Sequence, residues 1–319
     1  MLLFVSMFRL LKKYAKSIFL LLKIALILTA FYLIYKKIWI DNGSIAFNLF
    51  ANFSLLQLIC IVFLMLILSA LNWMLEFYKW KILVTSIQRI SFSESMQQCL
   101  TAHVAALITP FKMGEFGVKA MFFAPKNIPK ILYLNFLGNA SQLLMTLVFG
   151  FVGFYFYQHS LSTIFGTSFN PNYLFILMFL IVAVLMFRFL SKQLKFDFWK
   201  NIPVSVHLKN IGFSMSRYLV FSHQWLFLLY LIKPDIVYFN TISAIFSMYL
   251  LATLIPTFAM LDWAIKGFIA LFLFAVLGFR AAEILSISLL MWFFNFAIPA
   301  VMGSYFMLKL NRYKSLKHE

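Results

Sequence analysis

Long apolar runs recur along this chain, with short polar stretches between them. Continuous runs cover Ser17 to Tyr35, Ser54 to Trp73, Ile131 to Tyr157, Asn172 to Leu190, Met215 to Ile232 and Ile284 to Leu308. A membrane span needs about 20 apolar residues at about 1.5 Å of rise each, so each run predicts a crossing helix. None alternates apolar and polar positions as a barrel strand does. In hydrocarbon the backbone polar groups must be satisfied within the segment, which a helix achieves. The pattern predicts an all-α, polytopic bundle of about six full spans. Two further apolar stretches, Gln98 to Phe123 and Asn240 to Gly278, are each interrupted by a proline and by charges. They read as proline-broken, re-entrant hairpins.

The two interruptions echo one another. "LITPFKMGEFGVKA" runs from Pro110 and Gly114 to Glu115 and Lys119, and "TLIPTFAMLDWAIKG" from Pro256 to Asp262 and Lys266. In each, a base follows an acid at i+4, the better order for an ion pair on one helix face. Proline removes a backbone donor and clashes with the preceding turn, so Pro110 and Pro256 predict helix breaks, with Gly114 just after the first. Exposed backbone at membrane depth is tolerated only inside protein or beside a wet cavity, as in the broken helices of transporters. Three full spans separate the copies, so the second enters from the opposite side. This predicts one membrane domain over 1–319, its halves at about 54–157 and 172–308 related as an inverted repeat, with basic tails at 1–16 and 309–319.

Composition narrows the setting. The chain is 64% hydrophobic and 11% charged, which sets aside water-soluble readings. Its net charge of +18 does not form a nucleic-acid patch. The basic residues flank the apolar runs, and if each hairpin leaves on the side it entered, almost all fall on one face, cytoplasmic by the positive-inside rule. Both termini and the Ser191 to Gly212 interval are then cytoplasmic, while Gln158 to Pro171 is an uncharged outer loop. Ser191 to Gly212 reads equally as a surface helix or a connecting loop. The first span reads as a retained anchor rather than a cleaved signal. Cys60 and Cys99 lie apart in apolar segments and read as buried small residues, with neither a disulfide nor a metal site.

A second polar cluster closes the second span, "NWMLEFYKWK". Asn72, Glu76 and Lys79 share one helix face, while Trp73, Tyr78 and Trp80 read as interfacial anchors. His103, seven residues before Pro110, either lines the same cavity or bonds across helices. No catalytic, metal-ligand or cofactor motif is present, so the chain calls for no cofactor and names no catalytic residue.

These elements resemble the lysylphosphatidylglycerol synthase transmembrane region, or flippase-like domain family. The resemblance rests on Asn72, Glu76, Lys79, Trp80 and Lys81, then Thr109, Pro110, Gly114 and Glu115, then Ile255, Pro256, Asp262 and Lys266. It implies a bacterial or archaeal inner-membrane protein that handles charged or glycosylated lipids, without the soluble aminoacyl-transfer domain. Lysines stand at Lys79, Lys81, Lys119 and Lys266 where the family often has arginine, and arginine's bidentate fork is thereby lost. The expected function is a flippase-like transporter for a lipid or lipid-linked anionic or glycosylated headgroup. Glu115, Lys119, Asp262, Lys266, Glu76, Lys79, Asn72 and His103 would line its path. A membrane-embedded lipid-modifying enzyme and a plain scaffold are the alternatives. Membrane lipids are the expected partners, with a homo-oligomer left open.

Overall fold

The computed structural model describes residues 53–109, 112–165, 202–255 and 261–315. The expected spans Ser17 to Tyr35 and Asn172 to Leu190, the prolines Pro110 and Pro256, and residues 1–16 and 316–319 of the tails lie outside the described residues. Every regular element among the described residues is helical. In order they are α1 (Leu55–Val84), α2 (Phe92–Ile108), α3 (Met113–Met121), a short 3-10 turn (Pro125–Asn127), α4 (Ile128–Phe165), α5 (Val204–Ile232), α6 (Tyr238–Thr253), α7 (Asp262–Ala275), α8 (Ala281–Trp292), a π turn (Phe293–Ala297) and α9 (Ile298–Ser315).

Three segments are long and apolar enough to cross a membrane: Leu55–Val84, Pro125–Tyr157 and Ala281–Leu308. Only 17% of the most apolar window of α1 is buried, and Leu55, Ile59, Val62, Phe63 and Ile67 stand on its outer side. Water does not favour such a face, whereas lipid does. The protein is therefore a helical membrane protein. α5 is as long, but Arg217, His223 and Gln224 dilute its apolar run.

Local chemistry sets the boundaries. Ser54 with Gln57 and Ser91 with Glu94 form reciprocal capping boxes at the starts of α1 and α2, satisfying donors that a helix start leaves orphaned. Both interrupted stretches are indeed broken: α2 ends at Ile108 before α3 begins at Met113, and α6 ends at Thr253 before α7 begins at Asp262. At the first break the Thr109 hydroxyl donates to the Ala105 carbonyl (2.7 Å) and accepts from the Gly114 N–H (2.8 Å), stitching the two helices together. A Cβ at Gly114 would lie 2.5 Å from the Ala105 oxygen, so only glycine fits this approach. Lys112 turns the chain in the left-handed region at φ 57°.

The helices exchange partners across the chain. α2 packs against α3 and also against α9, while α6 packs against α7 and also against α4. Glycine permits both long-range crossings. An added Cβ at Gly303 of α9 would meet the Leu100 oxygen of α2 at 2.2 Å, and one at Gly153 of α4 would meet the Phe246 Cβ of α6 at 2.4 Å. α1 and α5 pack against each other. The larger core gathers α4 to α8 around Tyr218, Trp225, Met248 and Phe274. A smaller one gathers the end of α1 with α2, α3 and the start of α4 around Trp80, Leu100 and Leu134.

Four local expectations need correction. Val204 to Gly212 is the first part of α5, neither a separate surface helix nor a loop, because Pro203 at the cap starts a helix that runs on unbroken. Helix α4 continues through Gln158 to Phe165, where a loop was expected, since that stretch holds no glycine or proline to stop it. Cys60 is exposed on the outer side of α1, and only Cys99 is buried. Trp80 is no interfacial anchor: it is 1% exposed, and its indole donates to Gln98 Oε1 at 2.7 Å.

Candidate functional site

A cavity of about 330 Å³ lies where the two helix breaks meet α1, α4, α5 and the π turn. Its polar lining is led by Glu76, Glu115, Lys119, Arg217, Asp262 and Lys266. Of the eight path residues expected from sequence, seven line it: Asn72, Glu76, His103, Glu115, Lys119, Asp262 and Lys266. Lys79 does not. It is 1% exposed and sits behind Glu76, with Nζ 2.7 Å from Glu76 Oε2 and 3.5 Å from the Gly138 carbonyl.

Glu76 is the hub of the first cluster. Its Oε2 meets Lys79 and also the Arg217 guanidinium, while Oε1 stands 4.0 Å from Lys119 Nζ. Lys119 Nζ donates to Glu115 Oε1 at 2.9 Å and to Asn135 Oδ1 at 2.8 Å, and lies 4.3 Å from the Trp80 ring. The expected i, i+4 pair has thus formed, and a second carboxylate, an amide oxygen and an aromatic face also hold its lysine. Burying charge without such partners costs several kcal/mol, which is why these side chains interlock.

The second pair is simpler. Lys266 Nζ lies 2.6 Å from Asp262 Oδ2 and reaches over the rings of Tyr249 (5.0 Å) and Phe296 (5.7 Å). Lys112 approaches the same Phe296 ring, at 5.9 Å. Among the described residues Lys112 meets no carboxylate. With Lys79 behind the wall, three carboxylates therefore face five cations, an excess of positive charge.

The π turn is the site's hinge of hydrogen bonding. Widening the helix turns carbonyls outward, and three successive ones accept from side chains of α1 and α2. Ser69 Oγ donates to the Phe294 carbonyl (2.7 Å), Trp73 Nε1 to that of Asn295 (3.1 Å) and His103 Nε2 to that of Phe296 (3.1 Å). A carbonyl only accepts, so Nε2 of His103 carries a proton. Both readings of His103 hold: it lines the cavity and bonds across helices. Asn295 accepts from Asn72 Nδ2 (3.1 Å) and donates to Gln224 Oε1 (3.0 Å), while Asn72 Oδ1 accepts from Arg217 Nε (3.0 Å).

Sequence reasoning missed Arg217, Lys112 and Asn295, and it placed Trp73 at the interface when it lines the cavity. Arg217 had been counted as an orientation charge. Asn295 carried a usable signal, because an amide within an apolar run is expensive unless it is bonded.

Family models, curated proteins and solved structures yield no match to this chain.

Proposed function

We propose that the chain is a multi-pass transporter of flippase type, resident in a bacterial or archaeal inner membrane with both termini cytoplasmic. It moves a lipid or lipid-linked anionic headgroup between leaflets while the tails stay in hydrocarbon. The observation that carries this reading is the meeting of the two acid–base pairs, Glu115–Lys119 and Asp262–Lys266, on one polar cavity beside two helix breaks. A scaffold has no need for charge there. Lysines and Arg217 attract the anion, and the carboxylates neutralise them between cycles.

The inverted repeat belongs to this proposal. α1 to α4 and α5 to α9 each read as a long helix, a broken hairpin and a final long helix. Their partners correspond on exchange: α2 with α9 answers α6 with α4, α3 with α4 answers α7 with α8, and α1 with α5 answers itself. Such reciprocity is what a two-fold relation in the membrane plane produces, and in transporters the site lies where the repeats meet. The motif order that resembles the lysylphosphatidylglycerol synthase transmembrane region agrees with it.

The test is leaflet movement in reconstituted vesicles. Vesicles carrying fluorescent phosphatidylglycerol or fluorescent phosphatidylglucose on both leaflets are treated with dithionite, which bleaches only the outer one. The wild-type protein should make the inner-leaflet pool of at least one probe accessible. Bleaching equal to protein-free vesicles for both probes overturns the reading.

A further inference from the structure

The transport reading leaves the ligand's chemistry open, and the cavity wall narrows it. Resting on that reading, we propose that the ligand is a sugar joined to a lipid through a phosphodiester, a monoanionic glycosyl phosphate, rather than a plain phospholipid headgroup.

Charge supplies the phosphate. Three carboxylates against five cations disfavour a cationic headgroup and favour an anion. Lys112, from the first break, and Lys266, from the second, approach the same Phe296 ring. An anion beside that ring is met from both breaks at once, and binding it brings a counter-charge to Lys112, which among the described residues has no carboxylate in contact.

Aromatic usage supplies the sugar. Trp73, Trp225, Trp263 and Trp292 line the cavity, whereas among the described residues only Phe221 and Phe296 of the phenylalanines do so. Apolar packing alone would have drawn on phenylalanine in proportion. Tryptophan adds a broad electron-rich face, on which sugar C–H groups stack, and an N–H donor. Tryptophan cages also take cations, but the sign of the surrounding charge argues against that use here.

Unpaired polar atoms point the same way. Gln142 and Trp292 stand on the wall, and among the described residues Gln142 Oε1 and Trp292 Nε1 find no hydrogen-bond partner. One needs a donor and the other an acceptor, and buried groups of this kind are costly to leave so. Phosphate at most accepts, so it can serve Trp292 and not Gln142. A hydroxyl does both. The cavity, at the low end of the about 300–1,000 Å³ usual for ligand pockets, suits one sugar ring and its phosphate.

The experiment titrates the full-length protein in nanodiscs and reads tryptophan fluorescence. Phosphatidylglucose carries sugar, phosphate and tails. Phosphatidylmethanol lacks the sugar, dodecyl glucoside lacks the phosphate, and glucose 1-phosphate lacks the tails. Phosphatidylglucose should bind at least about tenfold more tightly than each of the other three, the worth of about one net hydrogen bond or ion contact. Phosphatidylmethanol binding equally well overturns the sugar half of the proposal, and dodecyl glucoside binding equally well overturns the phosphate half. Glucose 1-phosphate binding equally well overturns the lipid source and leaves the sugar-phosphate chemistry standing. Gln142→Leu should narrow the gap to phosphatidylmethanol, and Lys112→Gln the gap to dodecyl glucoside, each with an unchanged circular-dichroism melt. The wild-type panel decides the matter even if a variant fails to fold. Selective binding without any vesicle translocation would sink the transport reading alone.

Discussion

Glu115 and Glu76 are both carboxylates at the cavity, yet neutralising them should have opposite consequences. In Glu115→Gln the new amide still accepts from Lys119, and Lys119 keeps Asn135 Oδ1 at 2.8 Å and the Trp80 face at 4.3 Å. The loss is the difference between a charge-assisted and a neutral hydrogen bond, about 1–1.5 kcal/mol. In Glu76→Gln a single amide oxygen stands where Oε2 met two cations, Lys79 and Arg217, and no charge neutralises either; among the described residues Lys79, 1% exposed, then has no carboxylate partner. Leaving a buried cation so costs about 3–5 kcal/mol. At about 2–4 °C per kcal/mol for domains of 150–250 residues, the first variant should melt a few degrees low and the second should yield little folded protein. Transport should reverse the ranking per folded molecule. On the proposed transport reading, Lys119 without the Glu115 charge would hold an anion too firmly to release it, and leaflet movement should fall to the protein-free background. The assay pairs the thermal melt of purified protein with dithionite-read translocation in vesicles. A Glu115→Gln protein as unstable as Glu76→Gln, yet fully active per folded molecule, would refute the reasoning and make the pair structural.

Other consequences follow from packing, orientation and capping. Gly303→Val should unfold the protein, since its Cβ meets the Leu100 oxygen at 2.2 Å, whereas Gly212→Ala, with nothing within 4 Å, should raise the melt by up to about 1 kcal/mol of helix propensity. In a background lacking Cys60 and Cys99, a cysteine at Asp235 should react with an impermeant reagent on intact cells and one at Arg89 only after the membrane is opened; the reverse order would invert the topology. The Glu94 carboxylate accepts the Ser91 backbone N–H at 2.6 Å, which holds its pKa below the ordinary carboxylate value. That cap contributes fully above the ordinary value and is lost as pH falls through the lowered one, so the protection of amides at the start of α2, measured relative to their intrinsic exchange, should fall only in acid and should show no such pH dependence in Glu94→Gln.

Spacing along a helix is local, and the features that depend on it were legible. Glu115 with Lys119 and Asp262 with Lys266 follow from i, i+4 geometry, and the breaks follow from proline and charge within apolar runs. What was hidden depends on partners far along the chain. Trp80 reads as an anchor because it ends an apolar run, yet it is covered by Gln98 and Lys119. Arg217 sits among basic residues that mark orientation, and only the approach of α5 to α1 turns it into a partner of Glu76 and Asn72. Cys60 is apolar enough for either side of α1, and a helix facing lipid gives no contrast by which hydropathy could tell outside from inside.

The crossing of α2 on α9 and of α4 on α6 also fixes when the protein can be finished. Helix α2 packs against α9, made far later in the chain, so the broken α2–α3 pair leaves the ribosome with a main neighbour unmade. Its lysine and glutamate pair within α3, each offsetting the other's charge, and the small hollow left at Gly303 of α9 meets the Leu100 turn only once α9 has been made. A chain cut between α4 and α5 therefore holds two pieces that each lack a wall. Made together in one cell they have every reason to find one another, and made singly each is a substrate for membrane quality control.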